Sequence, residues 1–526
     1  MAEEQLTGGQ NMGPEMLIIR PEKVRLIDLL SLLLLRRPIT SYRFVEVSDQ
    51  TSCELGSTPG DWVVALTVAI QKVLAAIYWP ARWLGFAIEF LLNFLALNSG
   101  ILGIIWNIFR CKLVIPFQEA ANFRSIIGMI DGRTELKPVP ASIYSCDEQQ
   151  LHFVDNSWWK AKEECIDVES GECYSDNVPL IKEQYYVDEV TVMAAKLAYE
   201  NEAYIKNVVN NIWKFNFIGF YSCWNKFMGK DGAYTTQAFV MTDRPSDART
   251  VLVAFRGTEP FNMQDWSTDV NLSWMRLGAM GNLHVGFLKA LGLQEEDPKN
   301  PARAFPRDAP KSTKPVAYYA LRDVLRIQLK KHPNAKVIVT GHSLGGALAA
   351  VFPALLAFHG ENDVLGRLLA VHTYGQPRVG DEDFATFCTK KVPVKDPVRA
   401  VYRYDIVPRV PFDVPPLAKF THGGECVYFD GWYATRLLPT GVDVPDKNYF
   451  DPRYLVSKYG NALGDLVKGA FLWVKEGRDY REGAVSLLYR ASGLIIPGLA
   501  SHSPRDYVNA VRLGRVVVTT KMKTGN

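Results

Sequence analysis

The sequence predicts an α/β fold with a mainly parallel central sheet that helices cover on both faces. Short apolar runs at residues 250–255, 336–340, 368–374 and 399–404 are typical of buried strands, and helical patterns such as 318–331 separate them. Strands that alternate with helices pair in parallel, and a parallel sheet is buried on both sides. We place this domain at residues 185–526, with an exposed insertion rich in proline and charge at about 294–315.

One of these strands leads into a turn with a reactive pattern. The turn reads Gly341-His-Ser-Leu-Gly345, and a helix rich in alanine and leucine follows it. A strand, a G-x-S-x-G turn and a helix together form a nucleophile elbow, which holds the serine hydroxyl on a sharp corner. The sequence therefore predicts Ser343 as a nucleophile.

A serine hydroxyl is a weak nucleophile and needs a histidine as general base. In elbow hydrolases the base follows both the serine and the acid in the chain. The histidines after Ser343 are His359, His372, His422 and His502. His359 ends the elbow helix and His372 lies inside a strand, so both are predicted to be structural. We favour His502, on a loop fixed by a helix that Ser503 caps, and expect His422 to be structural or in a supporting position.

The base needs a carboxylate, and Asp405 closes the strand at 399–404. The carboxyl ends of parallel strands form the edge where α/β sites lie. Asp381, Asp383 and Asp396 lie in polar loops and are less favoured. For the oxyanion, one donor is expected from the backbone N–H of Leu344 and the other from Thr258, in the loop after strand 250–255.

Composition excludes several classes of protein. Lys and Arg number 59 against 56 Asp and Glu, so nothing favours nucleic-acid binding. The 8 cysteines include no C-x-x-C pair, and we expect neither a metal nor a cofactor. The acidic, polar start is unlike a secretory signal or a transit peptide, which predicts a chain with free thiols facing the cytosol.

The region before the α/β domain is unusually apolar. We expect disorder at 1–23, an apolar helical anchor at 24–112 and a connecting segment at 113–184. Residues 83–109 carry a single charge and are long enough for a hydrophobic span, although a buried helix pair is the alternative. Basic residues flank both sides, which favours a hairpin or an in-plane helix with breaks at Pro80 and at 98–100.

The motifs together resemble the class 3 lipase family. The matching motifs are Val-Ala-Phe-Arg-Gly-Thr258, His284-Val-Gly-Phe287, Gly341-His-Ser-Leu-Gly345, Thr373-Tyr-Gly-Gln-Pro-Arg-Val-Gly380 and Tyr404-Asp-Ile-Val-Pro-Arg-Val-Pro411. The resemblance implies an α/β-hydrolase fold, the triad Ser343, Asp405 and His502, and Thr258 and Leu344 as oxyanion donors. It also implies a lid at about 259–275, for which a fixed surface loop is the alternative.

With the apolar block before it, the chain looks like the plant oil-body triacylglycerol lipases. That resemblance implies hydrolysis of stored acylglycerols on lipid droplets that face the cytosol, with the endoplasmic reticulum membrane as a further location. A phospholipase A or galactolipase acting on bilayers is one alternative, and an inactive droplet coat or scaffold protein is another. The positional and chain-length preference and the oligomeric state stay open.

Overall fold

The computed structural model describes residues 15–34, 37–48, 61–137, 180–181, 185–229, 232–394, 396–415 and 417–516. Its strands are β1 (Met16–Ile19), β2 (Val45–Val47), β3 (Leu180–Ile181), β4 (Tyr185–Tyr186), β5 (Asn216–Asn225), β6 (Ala233–Thr242), β7 (Thr250–Phe255), β8 (Trp274–Arg276), β9 (Asn282–His284), β10 (Lys336–His342), β11 (Leu368–Tyr374), β12 (Asp396–Tyr402), β13 (Cys426–Phe429), β14 (Ala434–Leu438) and β15 (Arg515–Val516).

The helices, numbered in the same way, begin in the N-terminal region and end shortly before the last strand. They are α1 (Leu26–Leu34), α2 (Asp61–Leu97), α3 (Gly100–Phe109), α4 (Ile126–Ile130), α5 (Val187–Leu197), α6 (Glu202–Asn207), α7 (Met263–Asp269), α8 (Val285–Leu291), α9 (Pro301–Ala304), α10 (Ala317–Lys331), α11 (Leu344–Phe358), α12 (Asn362–Leu365), α13 (Glu382–Lys391), α14 (Leu455–Glu476), α15 (Ala484–Ser492) and α16 (Pro504–Leu513).

Within the described residues, nine strands form the main sheet in the order β15-β14-β13-β12-β11-β10-β7-β6-β5. Strands β7, β10, β11, β12 and β13 pair in parallel, while β5, β6 and β14 add antiparallel pairs. The predicted α/β class and the mainly parallel sheet are confirmed. The predicted insertion at 294–315 contains the short helix α9.

Both faces of the sheet are buried, which explains the continuous apolar pattern of its central strands. Along β7, Val251 and Val253 pack on one face with α8, α10 and α11, while Leu252 and Ala254 pack on the other with α5 and α16. Successive side chains of a strand point to opposite faces, so a sheet covered on both faces needs apolar residues at every position.

The N-terminal strand corrects the prediction of disorder at residues 1–23 for its described part. Strand β1 pairs with β8 of the α/β domain, and Leu17, Ile18 and Ile19 are buried. Four residues cannot show the periodicity from which a strand is recognised, so this pairing was not visible in the sequence. Residues 1–14 lie outside the described residues, as do 138–179 and 182–184 of the predicted connecting segment.

Helix α2 is a single helix of 37 residues, so the predicted break at Pro80 is wrong. Pro80 lies on an exposed part of the helix, where the carbonyl that loses its backbone partner is not trapped in a core. The predicted break at 98–100 is confirmed: Ser99 is left-handed with φ of 60°, and α3 follows it. The Asn98 side chain bonds both backbone groups of Val114, which holds the returning chain beside the turn.

The two halves of α2 have different surroundings. In the first half, Val63, Val64 and Val68 are buried in a cluster that includes Trp274 and Phe412 of the α/β domain. The second half exposes large apolar side chains, namely Trp79, Trp83, Leu84 and Leu91. By length and composition alone, residues 62–97 form the one helix of the described chain that could cross a membrane. The boundary of the anchor at 24–112 stays a prediction.

Candidate active site

Ser343 lies on the sharp corner between β10 and α11, with φ of 60° and ψ of −132°. Its N–H donates to the Tyr374 carbonyl at 2.9 Å, which ties the corner to the neighbouring strand. A Cβ on Gly341 would lie 2.2 Å from the Gly345 carbonyl carbon, and one on Gly345 would lie 2.4 Å from the Phe255 oxygen. Only glycine allows strand and helix to approach this closely, so the geometry is that of the predicted elbow.

His502 and Asp405 form a buried pair beside this corner. Nδ1 of His502 lies 2.8 Å from Oδ2 of Asp405, whose side chain is fully buried. The other carboxylate oxygen accepts the Val407 N–H at 2.9 Å, and the Tyr507 hydroxyl donates to Oδ2 at 2.5 Å. Because Nδ1 faces a carboxylate, it carries the imidazole proton and leaves Nε2 as an acceptor.

Gly375 joins the serine corner to the histidine–aspartate pair. It follows Tyr374, which accepts the Ser343 N–H, and it has a positive φ of 61°. A Cβ at this position would lie 2.9 Å from Cε1 of His502 and 3.0 Å from Oδ2 of Asp405. The Ser343 hydroxyl and Nε2 of His502 are both buried, and neither has a hydrogen-bond partner among the described residues. Both atoms are therefore free to bond each other or a substrate.

The His342 ring packs against the ring of His502, the predicted base. Its ring centroid lies 4.5 Å from that of His502, and its Nδ1 lies 2.8 Å from the Tyr199 hydroxyl. Burial holds the pKa of His342 well below its ordinary value, so this ring is neutral. His502 consequently has a rigid, uncharged neighbour on this side.

The two predicted oxyanion donors come from adjacent backbone segments. Leu344 is the first residue of α11, so its N–H has no acceptor within the helix. Thr258 is buried in the loop after β7, and a Cβ on the preceding Gly257 would lie 2.4 Å from the His342 carbonyl oxygen. The hydroxyl of Thr258 donates to Oδ2 of Asp269 at 2.8 Å, which fixes its rotamer.

The segment predicted as a lid contains helix α7 and lies against the site. The Trp266 ring is 6.3 Å from the His502 ring in an edge-on arrangement. Two carboxyl groups of α7 are buried, and no cationic side chain of the described residues bonds to them. Burial raises the pKa of Asp265 to about 7 and that of Asp269 well above its ordinary value. One oxygen of Asp269 has no hydrogen-bond partner in the described chain.

Helix α2 lies on this lid segment. The Gln71 amide donates to the Ser267 carbonyl at 2.9 Å, and a Cβ on Gly85 would lie only 2.7 Å from Cβ of Phe261. The apolar N-terminal region and the lid segment are therefore in direct contact, a relation that the sequence does not indicate.

The other histidines and aspartates have structural surroundings. His372 is fully buried, His359 bonds Tyr318, and the His422 ring bonds the Pro408 carbonyl. Asp381 caps α13, Asp383 pairs with exposed Arg276, and Asp396 begins β12. Ser503 caps α16 as expected. Within the described ranges, no three His, Cys, Asp or Glu side chains are grouped to hold a metal ion.

Sequence reasoning missed the groups that support the predicted triad. Tyr507 lies one helical turn after His502 and bonds Asp405 from there. Gly375 stands in the Thr-Tyr-Gly-Gln motif, which gave the only signal of its importance. Nothing in the sequence indicates Tyr199 or Asp269.

A mainly parallel sheet with a buried serine elbow and a histidine–aspartate pair beside it defines a serine carboxylic ester hydrolase of the α/β-hydrolase fold. The chain belongs to the class 3 lipase family. The model of that family, Lipase (class 3), matches residues 252–414. The chain is 36% identical to the Arabidopsis thaliana triacylglycerol lipase OBL1, over 95% of this chain and 94% of that protein.

Two further relatives carry the same name. The Nicotiana tabacum triacylglycerol lipase OBL1 is 36% identical over 86% of this chain and 83% of its own length. The Ricinus communis triacylglycerol lipase OBL1 is 35% identical over 95% of both chains. A lipase of Rhizomucor miehei is 31% identical over 36% of this chain and 44% of its own length. The likeness to the Arabidopsis and Ricinus proteins thus extends over nearly the whole chain, whereas the fungal match covers about a third of it.

Proposed function

We propose that this protein is a triacylglycerol lipase that hydrolyses stored acylglycerols at the surface of lipid droplets. The observation that carries the proposal is the buried His502–Asp405 pair beside the Ser343 corner, where the Ser343 hydroxyl and Nε2 of His502 bond to none of the described residues. The names of the three plant relatives, which match most of the chain, supply the substrate class.

In the proposed reaction, Nε2 of His502 takes the proton of the Ser343 hydroxyl as the serine oxygen attacks an acyl carbonyl. The backbone N–H groups of Leu344 and Thr258 stabilise the oxyanion, while the Thr258 hydroxyl donates to Asp269. His502 then protonates the departing diacylglycerol oxygen, which leaves an acyl-enzyme on Ser343. Water, deprotonated by the same histidine, releases the fatty acid and restores the serine.

Asp405 supports this cycle without accepting a proton itself. Its carboxylate stabilises the imidazolium that forms on His502 and fixes the tautomer in which Nε2 is the base. The Val407 N–H and the Tyr507 hydroxyl hold the carboxylate in place. The neutral His342 ring places no second cation beside the imidazolium.

The proposal also includes delivery to the lipid. Trp266 lies against His502, so the lid segment has to move before a long acyl chain reaches Ser343. Exposed aromatic and aliphatic side chains on the second half of α2 and on α3 suit a droplet surface that faces the cytosol. Because a droplet has no aqueous far side, the turn at Asn98 and Ser99, which sends the chain back, suits that surface as well.

The test is fatty-acid release from emulsified trioleoylglycerol by the full chain and by Ser343→Ala, with phosphatidylcholine and galactolipid assayed in parallel. We expect release from trioleoylglycerol by the unchanged chain and at least about a thousandfold less by the variant. A preference for phospholipid or galactolipid would favour a bilayer enzyme. No labelling of Ser343 by a serine-directed phosphonate probe would favour an inactive droplet coat protein.

A further inference from the structure

Helix α14 is amphipathic with its charged side turned inwards. Buried Lys468 pairs with Asp465 at 2.8 Å, and buried Lys458 pairs with Asp446 at 2.5 Å. The Lys468 ammonium group also donates to the Gly431 carbonyl at 2.6 Å. The bonds to Asp446 and Gly431 tie the polar face of the helix to neighbouring loops, whereas the Lys468–Asp465 pair lies within the helix.

The opposite face of α14 is apolar and exposed. Over residues 455–474 no exposed position carries a charge, a stretch of about 30 Å at 1.5 Å per residue. The large exposed side chains are Leu455, Val456, Tyr459, Leu463, Val467, Phe471, Trp473 and Val474. A surface helix normally shows the reverse arrangement, and an apolar area of this extent marks a surface that meets another apolar phase.

Apolar side chains continue from α14 toward the site. Leu488 of α15 is 75% exposed and Ile495, in the turn after it, is 79% exposed. Gly493 begins this turn, and a Cβ on it would lie 3.7 Å from Cβ of Ala462 on α14 and 2.9 Å from Cβ of Ala500 on the loop that bears His502. The turn therefore lies between α14 and that loop. We call the exposed apolar residues of α14, Leu488 and the turn at 494–496 the C-terminal apolar face.

The C-terminal apolar face is joined to helix α2 through one buried cluster. Val485 and Tyr489 of α15 pack in that cluster with Ile88 of α2 and with Phe261 of the lid segment. Helix α15, which carries Leu488 of the C-terminal apolar face, and the second half of α2 therefore pack on the same buried cluster, whose core is Ile126, Ile127, Ile130 and Tyr199.

We infer that the C-terminal apolar face is a second lipid-contacting surface. It holds the opening of the active site against the acylglycerol surface, while α2 and α3 anchor the protein there. The inference rests on the proposed function for the identity of the lipid. A lipid surface fits better than a second copy of the chain because the turn that bears Ile495 packs on the His502 loop, and because α15 and the apolar half of α2 pack on one cluster. Tyr459 and Trp473 add amphipathic rings of the kind found at lipid–water boundaries.

The first test is hydroxyl-radical footprinting of the full chain carrying Ser343→Ala, with and without trioleoylglycerol droplets coated in phosphatidylcholine. We expect droplets to reduce labelling of Leu463, Phe471 and Ile495 about fivefold or more, since buried side chains are shielded from solvent. Exposed Tyr234 and Ile327, on β6 and α10, serve as controls and should label equally in both samples. Unchanged labelling of the face, or protection that depends on protein concentration without droplets, overturns the inference.

The second test is the double substitution Leu463→Asp with Phe471→Asp in the active full chain. Both side chains are exposed, so we expect the rate on a soluble short-chain ester to stay within about twofold and the rate on emulsified trioleoylglycerol to fall about tenfold. Ile327→Asp is the matched control and should leave both rates unchanged. An unchanged emulsion rate contradicts the inference.

The two proposals fail in different ways. If the unchanged chain releases no fatty acid from trioleoylglycerol but the face is protected by droplets, the proposed substrate is wrong and the lipid-contacting surface stands. If release is normal and the face is not protected, the lipase activity stands and this inference is wrong.

Discussion

The sheet side of the site and the lid segment hold their buried carboxyl groups in opposite ways. Asp405, on the sheet side, has donors on both oxygens, from Val407, Tyr507 and His502. Asp269, on the lid segment, has one oxygen bonded to Thr258 and the other without a partner in the described chain. The Asp405 carboxylate is therefore bonded on both oxygens, whereas the buried Asp269 carboxyl group carries an uncompensated desolvation cost on one oxygen.

We call the sheet side of the site, with Ser343, Gly375, Asp405 and His502, the wall. Under the proposed function the wall stays fixed and the lid segment moves. Backbone contacts at glycine positions and a buried hydrogen-bond network hold the residues of the wall. The lid segment covers His502 through Trp266 and is held from outside by α2. Substitutions in the wall should therefore impair chemistry on every substrate, whereas substitutions in the lid segment should change access to the site.

The largest effect is expected from Asp405→Asn, because the amide cannot stabilise an imidazolium and favours the wrong tautomer of His502. We expect kcat on a soluble short-chain ester to fall about a thousandfold or more, with the melting temperature measured alongside. Asp383→Asn is the matched control, since that side chain is exposed and pairs with Arg276 at the surface. A fall of less than tenfold for Asp405→Asn would remove this residue from the proposed triad.

The next effect tests how tightly the wall is packed. Gly375→Ala places a methyl group about 3 Å from the His502 ring and from Asp405, and we expect kcat to fall about a hundredfold with little change in KM. Gly360→Ala is the control, because its φ of 68° gives the same backbone strain with no atom within 4 Å. Equal activity of the two variants would mean that the pair is not displaced.

Much of the wall could be predicted from the sequence because local rules and chain order act together there. The strand–turn–helix pattern identified Ser343, the end of a strand identified Asp405, and the order of residues together with a helix cap selected His502. Each prediction depends on a few neighbouring residues. The structure brings these residues to the same edge of the sheet.

The lid side could not be predicted in the same way, because its contacts join distant segments. The Gln71–Ser267 bond spans 196 residues, and the pairing of β1 with β8 joins strands more than two hundred residues apart. The break assigned to Pro80 followed from a local preference, but the helix continues because its exposed surface tolerates the lost hydrogen bond. Patterns among neighbouring residues do not indicate which surfaces of the folded chain are in contact.

A smaller effect concerns pH and the lid segment. Burial raises the pKa of Asp265 from 3.8 to about 7. The protonated carboxyl group therefore stabilises the closed position of the lid segment in acid. This stabilisation is lost as the pH rises from 3.8 to about 7, because the carboxyl group ionises more readily when the lid segment is open. Asp265→Asn keeps the shape and removes the charge. We expect the ratio of the unchanged chain to the variant, measured on a soluble ester, to rise up to about tenfold between pH 5 and 7 and then level off.

A ratio that stays flat over the same pH range would show that Asp265 does not control access. A ratio that falls with rising pH would contradict the sign of the argument. Melting temperatures across the same range separate lid opening from global unfolding.

The smallest effect tests the contact between the N-terminal helix and the lid segment. Gln71→Ala removes one buried hydrogen bond to the Ser267 carbonyl, and a bond of this kind contributes about 1 kcal/mol, so we expect a two- to fivefold rise in rate on a soluble ester. The rate on emulsified trioleoylglycerol should stay unchanged, because under the proposed function the lipid surface holds the lid segment open. Val73→Ala, on an exposed position of the same helix, should alter neither rate. An equal rise in rate on both substrates would mean that α2 affects the catalytic residues themselves. No rise on the soluble ester would mean that only contacts with the α/β domain hold the lid segment.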